Sequence, residues 1–390
     1  MDPWDLSTLR AAIPALSDST YLNTGTFGPM PKVVVDEIRH ALDLMETHGP
    51  YSPLVRQTVE REGYECARSE AAALLGVAAD EIVLTSNAST GINLVAYGLD
   101  WQPGDEVVIS DQEHHSGVLP WLMLLRRNGV KVRVAQLADD AAAILQNFDE
   151  QITARTRLVF TSHVSCISGL RLPVSDIGRL AHNKGALVVV DGSHALGQFP
   201  VNAKEIGCDA YIGCGHKWLL GPQGTSFTYV SGEHLQTFQP SWIGWGAQQE
   251  LSIDIEAGSF LLHPSGRQYE YGTKQWMLFP GLARAIQFIN EVGLERIQAR
   301  VEPLAARLKK AVDEMPTWQR LTPLRPDMSA GLVALQMKNM APPNTKELLW
   351  ERHRLLVAFD ASQNWLRLSV AFFTTEAEID QAVEAILDLV

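Results

Sequence analysis

Short β-rich runs alternate with helical stretches between about residues 81 and 230, and this alternation constrains the fold more than any other feature of the chain. Several runs, such as ALVVVD at 186–191, are continuously apolar, as strands are when helices cover both faces of a mainly parallel sheet. The last two runs are separated by the turn KWLLGPQG, which allows one strand to be antiparallel. Seven such runs predict a seven-stranded, mainly parallel α/β sheet domain, and they occupy 82–86, 106–110, 130–137, 157–164, 186–192, 208–215 and 225–230.

The rest of the chain predicts a second, smaller domain. Its 390 residues exceed the ~250–300 at which a single hydrophobic core stops growing. Beyond residue 275, two long helical patterns lead into the short apolar runs GLVALQM and NWLRLSV, which is typical of an α+β unit. We therefore expect an N-terminal segment (1–20) that packs with the small domain, a large α/β domain (21–265) and a small C-terminal α+β domain (266–390).

Composition argues against several classes of function. Lys and Arg number 32 against 45 Asp and Glu, and the net charge of −13 repels nucleic acid and anionic lipid, so neither partner is expected. The four cysteines form no CxxC pair, and the N-terminus lacks the order of a signal peptide. No apolar run approaches the ~20 residues of a membrane span, so we expect a cytoplasmic protein. His114 and His115 are adjacent, point apart and have no i, i+4 partner, so no metal site is expected.

Four polar segments each follow a predicted strand, at the edge where open α/β sheets bind ligands. They are SNASTGINL (86–94), DQEHHSG (111–117), the Asp191 that ends ALVVVD, and CGHKWLLGPQG (214–224). Taken singly, each has a structural explanation: a helix N-cap, a surface histidine, a strand-end cap and a surface lysine. Together they offer N–H groups for a phosphate, a ring to stack, a carboxylate for a pyridinium nitrogen and an amine for an aldehyde. Pyridoxal 5′-phosphate (PLP) requires this combination.

These segments resemble the class V aminotransferases of PLP fold type I, a family that includes cysteine desulfurases and cystine C–S lyases. The resemblance covers residues 21–282 and resumes at 364–380. GHKW matches the family's lysine motif, which implies that Lys217 carries the cofactor and that His216 lies near its phosphate. VDGSHALG matches the aspartate motif, which implies Asp191 as the partner of the ring nitrogen.

Three further motifs imply the rest of the cofactor site. QEHHSG matches the segment with the stacking histidine, which implies His114 in that role. NASTGINLVA matches the phosphate-binding helix, which implies that the backbone of Ala88 and the hydroxyl of Ser89 hold the phosphate. YEYGT matches a segment whose threonine reaches the neighbouring subunit's phosphate in family dimers. The resemblance therefore implies a homodimer in which Thr273 completes the partner's site.

Two further motifs imply contacts to the substrate, while three positions of the site depart from the family pattern. LRLSVAFFTTEAEID and YLNTGTFGP imply Arg367 and Asn23 as contacts of the substrate α-carboxylate. His194 stands where the family usually has a glutamine near the cofactor phenolate, and a histidine can still donate there in a tautomer that the sequence leaves open. Cys214 replaces a Ser or Thr near the phosphate. Cys166 replaces an asparagine, and it is either a residue of the active site or a buried inert thiol.

One absence separates this chain from the desulfurases. Those enzymes carry a nucleophilic cysteine shortly before the carboxylate-binding arginine, whereas this sequence has no cysteine between Gly331 and Arg367. Cys66 and Cys208 are poor substitutes by position. Four stretches also resemble the cystine C–S lyases more than the desulfurases, namely THGPYS (47–52), AYGLDWQPGDEV (96–107), GHKWLLGPQG (215–224) and PSWIGWG (240–246).

The resemblance therefore predicts a PLP-dependent C–S lyase that acts by β-elimination on cystine or a related sulfur amino acid. Its products would be pyruvate, ammonia and a persulfide or thiol. Three alternatives remain. A cysteine desulfurase or selenocysteine lyase that uses Cys166 would give alanine, and an isopenicillin-N-epimerase-like enzyme would invert its substrate. A protein that keeps the fold without catalysis would act only as a binding or scaffold component.

Overall fold

The computed structural model describes residues 5–250 and 252–389. Within these residues, thirteen β-strands form a seven-stranded, a four-stranded and a two-stranded sheet. The strands are β1 (Thr20–Tyr21), β2 (Ile82–Thr85), β3 (Glu106–Ser110), β4 (Lys131–Ala135), β5 (Thr156–Ser162), β6 (Leu187–Asp191), β7 (Ala210–Cys214), β8 (Ser226–Val230), β9 (Trp318–Arg320), β10 (Leu332–Met337), β11 (Leu355–Leu356), β12 (Ala358–Asp360) and β13 (Trp365–Ser369).

Helices surround these sheets, and a π-helix (Arg56–Gly63) joins the third helix to the fourth. The α-helices are α1 (Leu6–Ala11), α2 (Lys32–His48), α3 (Pro53–Val55), α4 (Tyr64–Leu75), α5 (Ala88–Gly98), α6 (Leu119–Asn128), α7 (Ala141–Gln151), α8 (Val174–Asn183), α9 (Ala203–Ile206), α10 (Phe279–Val292), α11 (Leu294–Asp313), α12 (Thr345–His353) and α13 (Glu376–Leu387).

The seven-stranded sheet confirms the predicted α/β fold. Its strand order is β2-β8-β7-β6-β5-β3-β4, and β8 is antiparallel to both neighbours while the other pairs are parallel. Val188 and Val190 of β6 belong to the hydrophobic cluster on one face of the sheet, and Val189 belongs to the cluster on the other. All three side chains are fully buried. The continuously apolar run in the sequence is therefore a strand that is covered on both faces.

The parallel strands bring the predicted polar segments together. In the register of the central strands, Ser162 at the end of β5 lies opposite Asp191, and Asp191 lies opposite Ile212 of β7. Because parallel strands end at the same edge, the residues that follow β3, β5, β6 and β7 lie near one another. This edge carries the candidate site.

The smaller sheet is antiparallel, with the order β12-β13-β10-β9. Leu308 of α11 and Ile379 of α13 share a hydrophobic cluster with Leu366 and Leu368 of β13, so the two helices cover one face of this sheet. By contrast, α10 packs against α2 and α4. Arg367 of β13 belongs to the small sheet, and its guanidinium extends to the edge of the large one.

Residues near the N-terminus contact the C-terminal part of the chain. Arg10 forms an ion pair with Glu378 of α13 at 2.8 Å, and β1 pairs in parallel with β11. Residues 1–4 lie outside the described residues. The proposed division of the chain into segments 1–20, 21–265 and 266–390 stays a prediction.

The described residues contain neither a candidate membrane span nor a candidate cluster of metal ligands. None of the helices combines the length and hydropathy of a membrane span. No group of three or more His, Cys, Asp or Glu side chains is arranged to hold a metal ion.

Candidate active site

A cavity of about 300 Å³ opens at the carboxyl edge of the large sheet. Most of the residues that the sequence singled out line it, although they come from segments more than 100 positions apart. These residues are Ala88, Ser89, His114, Asp191, His194, Cys214, His216, Lys217 and Arg367. The fold therefore assembles one polar site from the separate strand ends.

Lys217 lies on the turn that follows β7, and the loop around Gly28 packs directly on this turn. The Gly28 N–H donates to the carbonyl of His216 at 2.7 Å. A Cβ at Gly28 would come within 2.0 Å of the Lys217 carbonyl oxygen, so only glycine allows this approach. Leu220, three residues later, has a left-handed backbone conformation (φ 58°) that reverses the chain. These contacts hold the lysine at the cavity.

Asp191 ends β6 and is 7% exposed. Its Oδ1 accepts a hydrogen bond from the Ser193 N–H at 2.9 Å, and its carboxylate lines the cavity. Along the described chain the next helix, α9, begins only at Ala203, so Asp191 is not the cap of a following helix. A buried carboxylate without a cationic partner is costly, so a cationic group of a ligand would stabilise it.

His114 lies at the mouth of the cavity. Its Nδ1 accepts a hydrogen bond from the Ser116 N–H at 3.1 Å, and it thereby caps the short 3₁₀ turn His115–Gly117. Partial burial and the nearby Lys217 lower its pKa. The histidine is therefore a local cap and a wall of the cavity at the same time, which combines the two explanations open from the sequence.

Glu113, next to His114, is a buried carboxylate that the sequence analysis missed. It accepts hydrogen bonds from the Ser110 hydroxyl (2.5 Å), the Ser162 hydroxyl (2.6 Å) and the Ser162 N–H (3.0 Å). Burial raises its pKa to about 7. Glu113 ties the end of β3 to the end of β5 and so orients the turn that carries His114. The sequence feature that could have indicated this contact is a serine at the end of each of these two strands.

The N-terminus of α5 forms the anion-binding side of the cavity. Ala88 is the first residue of the helix, and the Asn87 side chain caps it by accepting from the Thr90 N–H at 2.9 Å. The Ser89 hydroxyl lies 2.7 Å from that of Ser116. Free N–H groups and the helix dipole favour an anion at such a helix start.

Cys214 and His216 also line the cavity. The Cys214 sulfur lies 3.3 Å from His216 Nδ1, and burial raises the pKa of the thiol. Burial also lowers the pKa of His216 to about 4, so its imidazole is neutral at physiological pH. The thiol and the imidazole contact each other, and both also face the cavity.

His194 connects the lysine to the protein interior. Its Nε2 lies 3.0 Å from Lys217 Nζ, and its Nδ1 accepts from the Trp218 indole N–H at 3.3 Å. The imidazole is 4% exposed, and its pKa is well below the ordinary value because of this burial and of the neighbouring Lys217. The contact with Trp218 involves a residue to which the sequence analysis gave no role.

Arg367 extends from β13 into the cavity and contacts the large domain. One terminal nitrogen donates to the Cys166 carbonyl at 2.8 Å, and the other donates to the Thr26 hydroxyl at 3.0 Å. Its Nε is buried and has no hydrogen-bond partner among the described residues. Burial raises the pKa of the Cys166 thiol. Cys166 thus contacts the arginine through its backbone, and its side chain lies outside the set of residues that line the cavity.

Besides Cys166, two other predicted site residues lie outside the cavity lining. Asn23 is half-buried, and its Oδ1 has no partner among the described residues. Thr273 is exposed on the segment between β8 and α10, and it lies outside the set of residues that line the cavity. The single chain therefore does not bring Thr273 to the site.

The groups that line the cavity suit the functional groups of PLP. The start of α5 can hold a phosphate, Asp191 can pair with a protonated ring nitrogen, and the amine of Lys217 can bind an aldehyde. The Ser193 hydroxyl is buried without a partner among the described residues, so a ligand could satisfy it. The cofactor implied by the sequence therefore fits the observed site.

Comparison with known proteins supports the same assignment. The family profile described as aminotransferase class-V matches residues 20–382. A probable cysteine desulfurase of Methanothermobacter thermautotrophicus is 30% identical over 98% of this chain and 97% of its own length. The isopenicillin N epimerase of Streptomyces clavuligerus is 32% identical over 94% and 93% of the two chains.

A solved structure extends the comparison. The complex of the cystine C–S lyase C-DES with its reaction product cysteine persulfide superimposes with a TM-score of 0.89 at 26% identity. The superposition covers 97% of this chain and 99% of C-DES. Because the profile covers most of the chain and the relatives match along nearly their whole lengths, this chain belongs to the class V aminotransferase family and has the PLP fold type I.

Proposed function

We propose that this protein is a C–S lyase that eliminates sulfur from the β-carbon of cystine or a related sulfur amino acid. The observation that carries the proposal is the absence of a cysteine between Gly331 and Arg367. From residue 345 to the end of this region the chain forms α12, β11, β12 and the start of β13, with a short turn at 361–364. This region thus offers no thiol to accept sulfur.

Apart from Cys214, whose thiol lines the cavity but is buried against His216 and has a raised pKa, the remaining candidate for a sulfur acceptor is Cys166. Its side chain is buried, it lies outside the cavity lining, and its raised pKa disfavours the thiolate. Because the thiolate is the nucleophilic form of cysteine, these features argue against attack on substrate sulfur by this residue. Elimination requires no protein thiol, so it suits the site better.

PLP is the cofactor of this class V aminotransferase-family enzyme. We assign Lys217 to its aldehyde, Asp191 to its ring nitrogen and His114 to the face of its ring. His194 would lie near its phenolate oxygen. Four residues would surround its phosphate, namely Ala88, Ser89, Cys214 and His216. When bound, PLP supplies an electron-accepting ring that makes the Cα–H bond of the amino acid acidic.

The side chains at the site suit the other requirements of the reaction. Arg367 would bind the α-carboxylate of the substrate, since its buried Nε–H has no partner within the described part of the chain and a carboxylate oxygen can accept from it. Asn23, with an unpartnered Oδ1, would orient the substrate beside it. Lys217 would take the proton from Cα as the general base. Asp191 would hold the proton of the ring nitrogen.

The proposed reaction balances with one water per turnover. Cystine loses one of its halves by cleavage of a Cβ–S bond, and both sulfur atoms leave with the other half as cysteine persulfide. The eliminated three-carbon unit takes up one water and becomes pyruvate and ammonia. No oxidant or reductant is consumed.

The active unit is proposed to be a homodimer. Thr273 is exposed and lies outside the cavity lining of its own chain, as expected for a residue that completes the site of a second copy. A cytoplasmic location stays a prediction.

A second candidate is an epimerase, because the isopenicillin N epimerase of Streptomyces clavuligerus is 32% identical to this chain. Incubation with L-cystine in D₂O distinguishes the candidates. The proposed lyase gives pyruvate and ammonia in equal amounts. Alanine as the main product would contradict it in favour of a desulfurase, and D-configured, Cα-deuterated cystine without pyruvate would contradict it in favour of an epimerase. Absence of any reaction with cystine and cysteine would contradict catalysis on sulfur amino acids.

A further inference from the structure

His194 lies between the side chains of Trp218 and Lys217. Its contacts with these two residues indicate which of its ring nitrogens carries a proton. Trp218 Nε1 donates to His194 Nδ1 at 3.3 Å, and His194 Nε2 lies 3.0 Å from Lys217 Nζ. Trp218 is 3% exposed and His194 is 4% exposed, so water has little access to either contact. The three side chains form a continuous row from the protein interior to the cavity.

The indole determines which form of the imidazole is compatible with this row. An indole N–H is only a donor, so the atom that receives it must carry a lone pair. An imidazolium has N–H groups at both positions, and the Nδ1–H tautomer has its proton at the atom that faces Trp218. Only the neutral Nε2–H tautomer leaves Nδ1 of His194 free to accept. The Trp218 contact therefore selects this tautomer.

The selected tautomer has a consequence at Lys217. His194 then presents an N–H toward Lys217 Nζ, and a hydrogen bond forms only if Nζ carries a lone pair. An ammonium group has three donors and no acceptor, whereas a neutral amine can accept. The row is consistent only with an unprotonated amine, which is the form that attacks an aldehyde and accepts a proton from carbon.

We propose that Trp218 is a positioning residue that fixes His194 as the Nε2–H tautomer and thereby favours the unprotonated amine of Lys217. The proposal rests on the role of Lys217 as cofactor-binding residue and base in the proposed function. Trp218 acts through His194.

The surroundings of His194 keep its imidazole neutral. The charged and titratable groups that face it are Lys217, Arg367, His114 and His216, and positive charge on any of them lowers its pKa. Burial acts in the same direction and is the largest cause. A protonated His194 would therefore be costly even before the Trp218 N–H is considered.

Packing also prevents the imidazole from reorienting. A Cβ placed at Gly25 would lie 3.3 Å from Cε1 of His194, so the backbone of Gly25 is close to the ring edge. The Gly25 N–H is held by the Ser369 hydroxyl at 3.0 Å. A ring flip, which would exchange Nδ1 with Cδ2 and Nε2 with Cε1, would have to take place against this backbone.

The first test is the tautomer itself. Full-length protein with ¹⁵N-labelled histidine rings is examined by long-range ¹H–¹⁵N NMR, with His194→Gln used to assign the signals. We expect a proton on Nε2 and none on Nδ1 of His194, in both the PLP-loaded and PLP-free protein. A proton on Nδ1 in the wild type would overturn the proposal without any need for a Trp218 variant.

The second test measures how the amine depends on Trp218. PLP-free Trp218→Phe, which keeps an aromatic ring without the N–H donor, is mixed with PLP, and the capture rate is followed by absorbance from pH 6 to 10. We expect capture about tenfold slower than in the wild type at pH 7, with the difference between the two rates shrinking as the pH rises, because high pH favours the neutral form of an amine with or without the Trp218 N–H. A loss of rate that is equal at every pH would overturn the proposal.

Two controls make this test specific. Trp121 is fully buried and its Nε1 has no partner among the described residues, so Trp121→Phe should behave as the wild type. The second control uses His194→Gln, because a glutamine amide has N–H donors whether or not Trp218 is present. Adding Trp218→Phe to His194→Gln should therefore leave its pH profile unchanged. If Trp218→Phe changed the pH profile of His194→Gln as much as it changes that of the wild type, Trp218 would not act through His194 and the proposal would be contradicted. None of these measurements depends on the product formed from cystine, so they remain interpretable if the lyase proposal fails.

Discussion

The cavity at the carboxyl edge of the large sheet and the exposed segment at residues 240–250 and 252–273 differ in how completely one chain builds them. In the cavity, Asp191, His194 and Cys214 are at most 7% exposed, and each makes a hydrogen bond within the chain. In the exposed segment, Trp242 is 67% and Ile255 is 89% exposed. These three cavity residues are buried within their own chain, whereas the exposed segment leaves large apolar side chains in water.

The difference indicates where a second molecule would contribute. Large exposed apolar patches on a folded protein mark interaction sites, because burying them stabilises the complex by about 25 cal/mol per Å². Trp242 stacks on Tyr271, and both line a groove that shares Asn87 and Ser89 with the cavity. The exposed segment is therefore adjacent to the phosphate side of the site, where Thr273 of another copy is proposed to act.

The largest effect is expected for Lys217→Ala, which removes the amine from the cavity. Activity should fall by at least about 10³-fold, because the variant has neither the cofactor-binding amine nor the general base. The protein should stay folded, since Lys217 is only half-buried and its hydrogen bond is to His194. Turnover is measured as pyruvate release and folding as circular dichroism, with the exposed Lys32→Ala as control. Wild-type turnover in Lys217→Ala would eliminate the mechanism.

The next largest effect is expected for Asp191→Asn. The amide keeps the acceptor for the Ser193 N–H but loses the negative charge that stabilises a protonated ring nitrogen, so loss of the Cα proton should slow about 10²-fold while PLP stays bound. Exchange of the Cα proton in D₂O measures this step directly. Asp327→Asn, which removes a carboxylate from an exposed ion pair, is the matched control. An exchange rate within a factor of two of the wild type would show that Asp191 serves only the turn.

The cavity was also the region most accessible to prediction. Asp191 and Lys217 follow strongly apolar runs, and in a parallel sheet such strand ends converge, so their proximity could be inferred from the pattern. Glu113 and Trp218 could not be placed in this way. Their roles depend on contacts with Ser162 and His194, which are distant in sequence and adjacent only in the folded chain.

The shortest strands were also not predictable from the sequence. The seven central strands are long enough to show an apolar pattern, whereas β1, β11 and β12 contain two or three residues each and have no detectable period. The pairing of β1 with β11 joins segments more than 300 positions apart. Local sequence carries no information about such a contact, because it depends on the packing of the whole chain.

A smaller effect is expected in the exposed segment. Thr273→Ala should raise the Kd for PLP about tenfold, by removal of one hydrogen bond to a charged phosphate of the partner. Thr8→Ala, a change at an exposed threonine of α1 outside the cavity lining, should leave the Kd unchanged. Light scattering on the same samples should show a dimer. A fully active monomer at the assay concentration would mean that the two regions are independent and that Thr273 has no such role.

A still smaller effect is expected for Cys214→Ser inside the cavity. A hydroxyl donates to phosphate better than a thiol does, so PLP should bind about threefold more tightly, with no change in the product formed. Equilibrium dialysis of PLP measures the affinity. Cys208→Ser, a buried thiol whose hydrogen bond is to the Ala203 carbonyl, is the control for a sulfur-to-oxygen change elsewhere. If PLP bound more weakly to Cys214→Ser but not to Cys208→Ser, the Cys214 thiol would support PLP binding by packing on His216, and its weakness as a hydrogen-bond donor would not matter.

The central claim is that sulfur leaves by elimination and is never transferred to the enzyme. The most direct test is product analysis with L-cystine for the wild type and for Cys166→Ala. Both proteins are predicted to release pyruvate and ammonia in equal amounts together with cysteine persulfide, and Cys166→Ala should keep most of the wild-type rate because its thiol lies outside the cavity lining. Alanine as the main product of the wild type, lost in Cys166→Ala, would contradict the account and identify Cys166 as the sulfur acceptor.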